Sequence, residues 1–439
     1  MIGLIAVIVP TRALELTVGL ILLAVMITDL AWGVVLFSGL VFIEALPGVG
    51  SGVSVIKLAG LLLVASWLFA HATKREKPSS LLKEQPFLAW CTIGFFALTL
   101  ASSLWASSSG TALSSAAREG QGILLFFIVY SALQTVSQLR AAMLGYVTGA
   151  SLTALIGVGG STGSDSTDAV GRFAGSIGDP NYFAALLVPA LAFASFMLLG
   201  KLSTPRRVLL GAGAVACAAA LFLTASRGGI VALGAMTIGV IFFAGPLRSR
   251  VIGFIACVIG LGIVYFALYA PPEAMAHLTA FGAGGSSGRT DLWSIGLQIF
   301  NAHPLLGVGA GNFILVEPTY ALSNIPLAST VIVFDTPHVA HNTYLQILTE
   351  LGALGLAVFG AMVLATFRLA FQAVRIAVES GDRELEILVR ALLIAFIGLS
   401  AAYVFLTAEY EKQLWLMFGL VAAGWSVARR SSLSAEEAS

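Results

Sequence analysis

Three short runs place arginine or histidine among small, turn-forming residues in an otherwise apolar chain. Thr224-Ala225-Ser226-Arg227-Gly228-Gly229 sits between two apolar stretches, and Gly288-Arg289-Thr290-Asp291 opens a segment with helical periodicity. Pro337-His338-Val339-Ala340-His341-Asn342-Thr343-Tyr344-Leu345 holds two of the five histidines. Guanidinium forks match phosphate oxygens bidentately, and imidazole exchanges protons near neutral pH. Together they suit chemistry on a phosphorylated substrate. Each run also has a plainer reading. Arg227 can be an interfacial arginine snorkelling at a glycine turn, the two glycines otherwise letting a ligand approach the backbone. Arg289 can pair with Asp291 to cap a helix, and the histidines can be structural. Asp335, His338 and His341 also offer three metal ligands. Their spacing departs from the His-Glu-x-x-His helix pattern, and no cysteine is at hand.

Other runs are less pointed. Gly171–Tyr182 carries Arg172 and Asp179, and its Asp-Pro-Asn reads first as a turn starting a helix. Gly307-Val308-Gly309-Ala310-Gly311-Asn312 lacks the βαβ context of a dinucleotide fingerprint and reads as a flexible turn. Glu409 and Glu411 either line a site or are solvated.

The elements that must position these residues are set by composition. Of 439 residues, 58% are hydrophobic and 10% charged, and mean hydropathy is +0.96. A soluble domain is about 25% charged. The polar side chains cannot cover a water-soluble surface, so the chain is a polytopic, all-helical membrane protein. The 23 basic and 22 acidic residues nearly cancel, which indicates no nucleic-acid partner. Cys91, Cys217 and Cys257 lie in apolar stretches without metal-ligand spacing and read as packing.

A crossing helix needs about 20 predominantly apolar residues. Candidates lie near 53–71, 87–105, 121–137, 141–159, 182–200, 207–224, 229–244, 251–269, 343–366, 388–408 and 413–428. Residues 2–44 are apolar but interrupted by Arg12, Glu15 and Asp29, too long for one span and short for two. About 12 spans are expected, with 13 possible, and no cleavable signal peptide is evident. The expected organisation is membrane helices over 1–269, a large outer loop over 270–342, C-terminal membrane helices over 343–428 and a tail over 429–439. One set of loops holds Lys74, Arg75, Lys77, Lys83, Arg140, Lys201, Arg206, Arg207, Arg248, Arg250, Arg368, Arg375, Arg383, Arg429 and Arg430. The opposite set carries only Arg118, Arg172, Arg227, Arg289 and Lys412. Positive charge inside then puts the first set and the C-terminus in the cytoplasm. In the outer loop, Arg289–Phe300 places Leu292, Ile295, Ile299 and Phe300 on one face with Trp293 beside them. This predicts a helix lying on the membrane surface, apolar face inward, ended by Pro304.

The motifs occur in a telling order. A Thr-x-Ser-Arg-Gly-Gly turn comes first, then an arginine opening the loop helix with Pro304-x-x-Gly307-x-Gly309 behind it. His341-Asn342-x-x-Leu345 follows, ahead of Glu350-Leu351-Gly352. This chain resembles the O-antigen ligase and polymerase superfamily of bacterial envelope glycan assembly. The similarity is clearest over roughly 170–365, including Gly178-Asp179-Pro180-Asn181-Tyr182; the first 160 residues match only in hydrophobic pattern. The resemblance implies a GT-C-like membrane glycosyltransferase without cofactor or metal, in the bacterial inner membrane with its site facing the periplasm. It implies undecaprenyl-pyrophosphate-linked glycan as donor, with Arg227 and Arg289 on the pyrophosphate and His341 as the catalytic candidate. His338, Asn342, Arg172 and Asp179 are the further substrate-binding candidates. The acceptor is lipid A-core for a ligase, which is the favoured reading, or a second lipid-linked repeat unit for a polymerase; a protein-directed oligosaccharyltransferase is disfavoured by the lack of an appended outer domain. A small-solute transporter is the rival class, but no internal repeat is found and the informative charges gather on one face, with only Asp29 and Lys57 as mid-apolar exceptions. A structural scaffold would leave the paired arginines without purpose.

Overall fold

The computed structural model describes residues 25, 28–42, 55–73, 80–158, 172–270, 275, 289–322 and 338–438. Among these residues the chain is helical and contains no strand. Eight helices are long and apolar enough to cross a membrane, and three more apolar helices are shorter. The stretches around Arg12 and Glu15, the Lys74–Lys77 run, Gly288 and Asp335 lie outside the described residues.

The helices are α1 (Leu30–Leu40), α2 (Val55–Thr73), α3 (Leu81–Glu84), α4 (Pro86–Ala101) and α5 (Ser109–Ala132). They continue as α6 (Val136–Val158), α7 (Pro180–Met197), α8 (Thr204–Leu223), α9 (Arg227–Phe243) and α10 (Arg248–Leu268). The outer loop contributes α11 (Arg289–Ala302) and α12 (Phe313–Leu322). Last come α13 (Thr343–Glu379), α14 (Arg383–Ala402) and α15 (Lys412–Ala438). The α7 sequence PNYFAALLVPALAFASFM is apolar all round, which marks a helix enclosed by others. Every side chain of it from Tyr182 to Phe196 is buried. It packs against α14, α8, α9 and α6, while α15 packs on α5 and α13, and α1 on α6.

Several sequence expectations change in detail. Arg118 belongs to α5, which starts twelve residues before the expected span at 121, so it is not a loop arginine. Asp29 is not a charge at mid-depth; its side chain caps α1 by accepting from Trp32 N at 3.1 Å. The long α13 is two helices meeting at Gly352, whose φ of 68° and ψ of −169° are not helical. Helix α11 buries Leu292, Ile295 and Ile299 as expected, and it packs on α13 and on α12, an element the periodicity did not suggest.

The ends of the bundle differ in charge. At one end, Arg140 meets Glu384 at 2.5 Å, Arg383 meets Glu386 at 2.8 Å and Glu84 faces Arg430 at 3.8 Å. Arg390 is also held there, bonded to Glu386 at 2.8 Å and to the carbonyl of Phe243. Arg140, Arg383, Arg390 and Arg430 at this end are thus each paired with a carboxylate. The opposite end carries Arg172, Arg227 and Arg289.

Candidate active site

Two helix N-termini meet at this second end. Gly178, at φ 82°, lets the chain turn into Asp179, which caps α7 by accepting from Asn181 N at 2.7 Å and Tyr182 N at 3.0 Å. Pro180 sits at the first helical position, where its missing N–H costs nothing. Asn181 in turn accepts a hydrogen bond from Ser226 Oγ at 2.9 Å, and Ser226 Oγ accepts from Gly229 N at 3.2 Å to cap α9. The two caps are therefore bonded to each other, and Arg227 stands on the first turn of α9 beside them. The glycines after it are needed for helix packing. A Cβ on Gly229 would lie 2.8 Å from the Ala184 methyl carbon, and one on Gly228 3.0 Å from Phe405 Cβ. Arg172 is buried close by, in a segment held to α8 by Phe173 N donating to Leu223 O at 3.3 Å.

Arg289 is the first residue of α11, and one turn on Trp293 Nε1 donates to Ala340 O at 3.0 Å. The N–H of Ala340 donates to Gln346 Oε1 at 2.9 Å. Both faces of this residue's backbone are thus clamped, and the next residue, His341, is held at φ 47°. A left-handed backbone at a non-glycine residue is strained, and such strain gathers where function requires a fixed geometry. Asn342, expected on the substrate, has its side-chain oxygen committed to capping α13 through Leu345 N at 3.1 Å. Thr343 Oγ1 donates to Leu406 O at 2.6 Å and accepts from Ala408 N at 3.0 Å, bringing the last outer loop against this turn.

The sequence-predicted residues act on one another electrostatically. Burial, then the charges of Arg227 and Arg172, hold the Arg289 guanidinium below its ordinary value, while Asp179 opposes the shift. Burial, then Arg289, hold His341 down to about 4, with His338 adding to the effect and Asp179 again opposing it. His341 is therefore neutral at pH 7. Arg172, Asp179, Arg227, Arg289, His338 and His341 form one electrostatically linked cluster, centred on Arg289. His338 is tied to α12 through its N–H to the Glu317 carboxyl, which burial raises above the usual range. The ring Nδ1 of His338 is buried and has no hydrogen-bond partner among the described residues. The three-ligand metal reading used Asp335, which lies outside the described residues.

Beneath the cluster lies an arrangement that sequence reasoning missed. Glu350, buried on α13, accepts from Gly311 N at 2.6 Å, Phe313 N at 3.3 Å, Tyr410 Oη at 2.7 Å and Gln346 Nε2 at 2.5 Å. The Gly307–Gly311 run is pinned rather than flexible. Val308 N and Gly309 N donate to the carbonyls of Thr349 and Glu350 at 3.0 and 2.8 Å. A Cβ at Gly307, whose φ is 66°, would come within 2.4 Å of the Glu350 backbone. Two more buried carboxylates, Glu119 and Glu409, interact with Glu350, and neither has a hydrogen-bond partner for its oxygens among the described residues. Burial, then Glu350, raise the Glu409 carboxyl well above the usual carboxylate range. Arg118 stacks on the Tyr410 ring at 4.9 Å. The available signal was Glu350, a carboxylate inside the apolar run of the 343–366 span, a costly placement.

With this geometry in place, comparison with known proteins adds one finding. A family model described as O-Antigen ligase matches residues 212–360, a stretch that contains Arg227, Arg289 and His341. No curated protein matches the chain.

Proposed function

We propose, from the premise that the chain belongs to the O-antigen ligase superfamily, that it moves a glycan from undecaprenyl pyrophosphate to a hydroxyl of lipid A-core at the outer face of the bacterial inner membrane. The family supports an O-antigen ligase or polymerase type of membrane glycosyltransferase. The finer reading rests on one observation: Arg227 and Arg172 bear on Arg289, and Arg289 in turn bears on a neutral histidine, all at one end of the bundle.

In the proposed step the acceptor oxygen attacks the anomeric carbon of the donor sugar, and the bond from that carbon to the pyrophosphate oxygen breaks. The electron pair leaves with the pyrophosphate, which departs as the lipid-linked anion. The acceptor proton passes to His341. One displacement inverts the anomeric centre. Arg227 and Arg289, with Arg172 behind them, face the charge that grows on the departing pyrophosphate. Preorganised charges of this type are commonly the largest contribution to catalysis. Without donor, burial and Arg289 keep the imidazole a weak base. A bound pyrophosphate offsets the arginine charge and raises the proton affinity of His341. The base is thus strengthened only when the donor is present.

Purified protein supplied with lipid-pyrophosphate glycan and lipid A-core should release undecaprenyl pyrophosphate and extend the acceptor by one glycan. Arg227→Ala and Arg289→Ala, with folding intact, should each lower that release by about a hundredfold or more; unchanged turnover removes the proposal. Glycan growing on the lipid-linked repeat unit instead would assign the polymerase reaction. Retention of the donor's anomeric configuration would exclude the single displacement.

A further inference from the structure

A second polar-to-apolar boundary lies away from the arginine cluster. Lys57 on α2, Gln121 on α5 and Lys412 on α15 line a groove whose other walls are apolar, with Val64, Leu125 and Ile128 among them. The register of these helices is fixed at their far ends. Trp67 Nε1 donates to Ser131 Oγ at 3.0 Å, joining α2 to α5. Tyr130 and Ser426 both bond Glu84, joining α5 to α15. Lys57 precedes Trp67 by ten residues and Gln121 precedes Ser131 by ten, so both stand about 15 Å from that level at about 1.5 Å per residue. Lys412 precedes Ser426 by fourteen residues and stands about 21 Å from the same end, roughly one turn beyond. The ammonium groups cluster at one end of the groove, and the apolar walls continue below them. Lys57 is exposed on an apolar helix, a costly placement for an ammonium, and joins no ion pair among the described residues.

We infer that this groove seats the acyl-anchored acceptor, with acyl chain along the apolar walls and a phosphate between Lys57 and Lys412. This rests on the transfer reaction proposed above. The charge is complementary to a phosphate headgroup, and the position distinguishes acceptor from donor. Lys412 begins α15 at the end of the 409–412 segment. The Tyr182 hydroxyl, one turn from Asp179, bonds both Glu411 at 3.2 Å and Gln413. Gln413 Nε2 also donates to Val41 O at 3.0 Å, at the end of α1. The groove and the arginine cluster therefore flank the same short segment. A lipid in the groove presents its head toward the site from the side opposite the donor's arginines.

The test uses the full-length protein in nanodiscs with a bis-phosphorylated, acylated disaccharide lipid as probe. Lys57→Gln combined with Lys412→Gln should raise the acceptor KM about tenfold and leave the donor KM unchanged. Gly60→Leu, at a groove position where a Cβ meets only the Phe37 ring at 3.9 Å, should fill the groove and raise the acceptor KM similarly. It keeps the test decisive if the lysine variant does not fold. Unchanged acceptor KM in folded Gly60→Leu overturns the assignment. So does displacement of the probe by phosphatidylglycerol at equal concentration, which would mark a bulk phospholipid site. Probe binding read by native mass spectrometry needs no turnover. If Arg227→Ala keeps full turnover while probe binding still falls in the groove variants, the transfer reaction fails and the lipid site remains.

Discussion

Two clusters of like charge lie within a few turns of each other in this bundle, and they are built in opposite ways. Arg172 and Arg227 bear on Arg289 with Asp179 opposing them, and Arg227 starts α9, whose cap is bonded to the N-terminus of α7. Glu119, Glu350 and Glu409 are each almost wholly buried. Glu350 is satisfied by four donors from three different parts of the chain. In the first, Arg172 and Arg227 oppose the charge of Arg289, and the proposed donor pyrophosphate would offset it. The second holds α13, the glycine loop and the last outer loop together. Local charge density alone does not mark a binding site.

The largest expected effect separates the two directly. Arg289→Ala should lower turnover by about 10²–10³, the range for removing one donor to a developing anion (~3–4 kcal/mol), without loss of folding. Glu409→Gln should change turnover by no more than about threefold. Both are read as lipid pyrophosphate release by protein of matched thermal stability. Equal losses in the two variants would erase the distinction between the clusters.

Stability should show the reverse pattern. Glu350→Ala strands the N–H groups of Gly311 and Phe313, the Tyr410 hydroxyl and the Gln346 amide, and each buried group left unpaired costs about 1–3 kcal/mol. A loss of at least about 3 kcal/mol in detergent denaturation is expected, while Arg227→Ala should move the midpoint little. A Glu350→Ala protein as stable as its parent would mean that the four bonds do not hold the loops.

These contrasts also mark how far sequence alone carries. Composition and apolar run length gave the helical membrane class, and the arginine and histidine motifs pointed to residues that converge in space. Arg118 was misplaced because its helix begins in a serine-rich, weakly apolar stretch, where hydropathy gives no edge. The packing role of Gly228 and Gly229 was not legible, since a glycine required by a neighbouring helix looks the same in one sequence as one that admits a ligand. The capping role of Asn342 was not legible because capping depends on where the helix starts. Glu350, Gln346 and Trp293 went unnoticed as a set. They lie 53 to 57 and four positions apart, and only the fold of the outer loop over α13 makes them one network.

A smaller effect tests whether the lower cluster positions the upper one. Gln346 links Glu350 to Ala340, next to His341, and Trp293 holds the other side of Ala340 from the helix of Arg289. Gln346→Leu should lower kcat about tenfold (~1.4 kcal/mol) with donor KM unchanged, and Trp293→Phe should act in the same direction. A change in donor KM alone would instead make these residues part of the binding surface.

The smallest effect concerns protonation. His341 is held at about 4 in the folded protein, against about 6.5 when unfolded. Above pH 6.5 both states are neutral and the histidine contributes no pH dependence. As pH falls from 6.5 toward 4, the unfolded chain takes up the proton first, and stability declines through that window. The acid limb of kcat/KM that belongs to His341 should accordingly lie near 4 and not near 6.5. Arg289 is a larger cause of the depression than His338. An NMR titration, assigned by the signal lost in His341→Gln, should therefore find His341 raised in both Arg289→Gln and His338→Gln, and more in the first. The opposite order would place His341 nearer to His338 than to the arginine cluster, and the base would no longer face the group whose departure it is proposed to accompany.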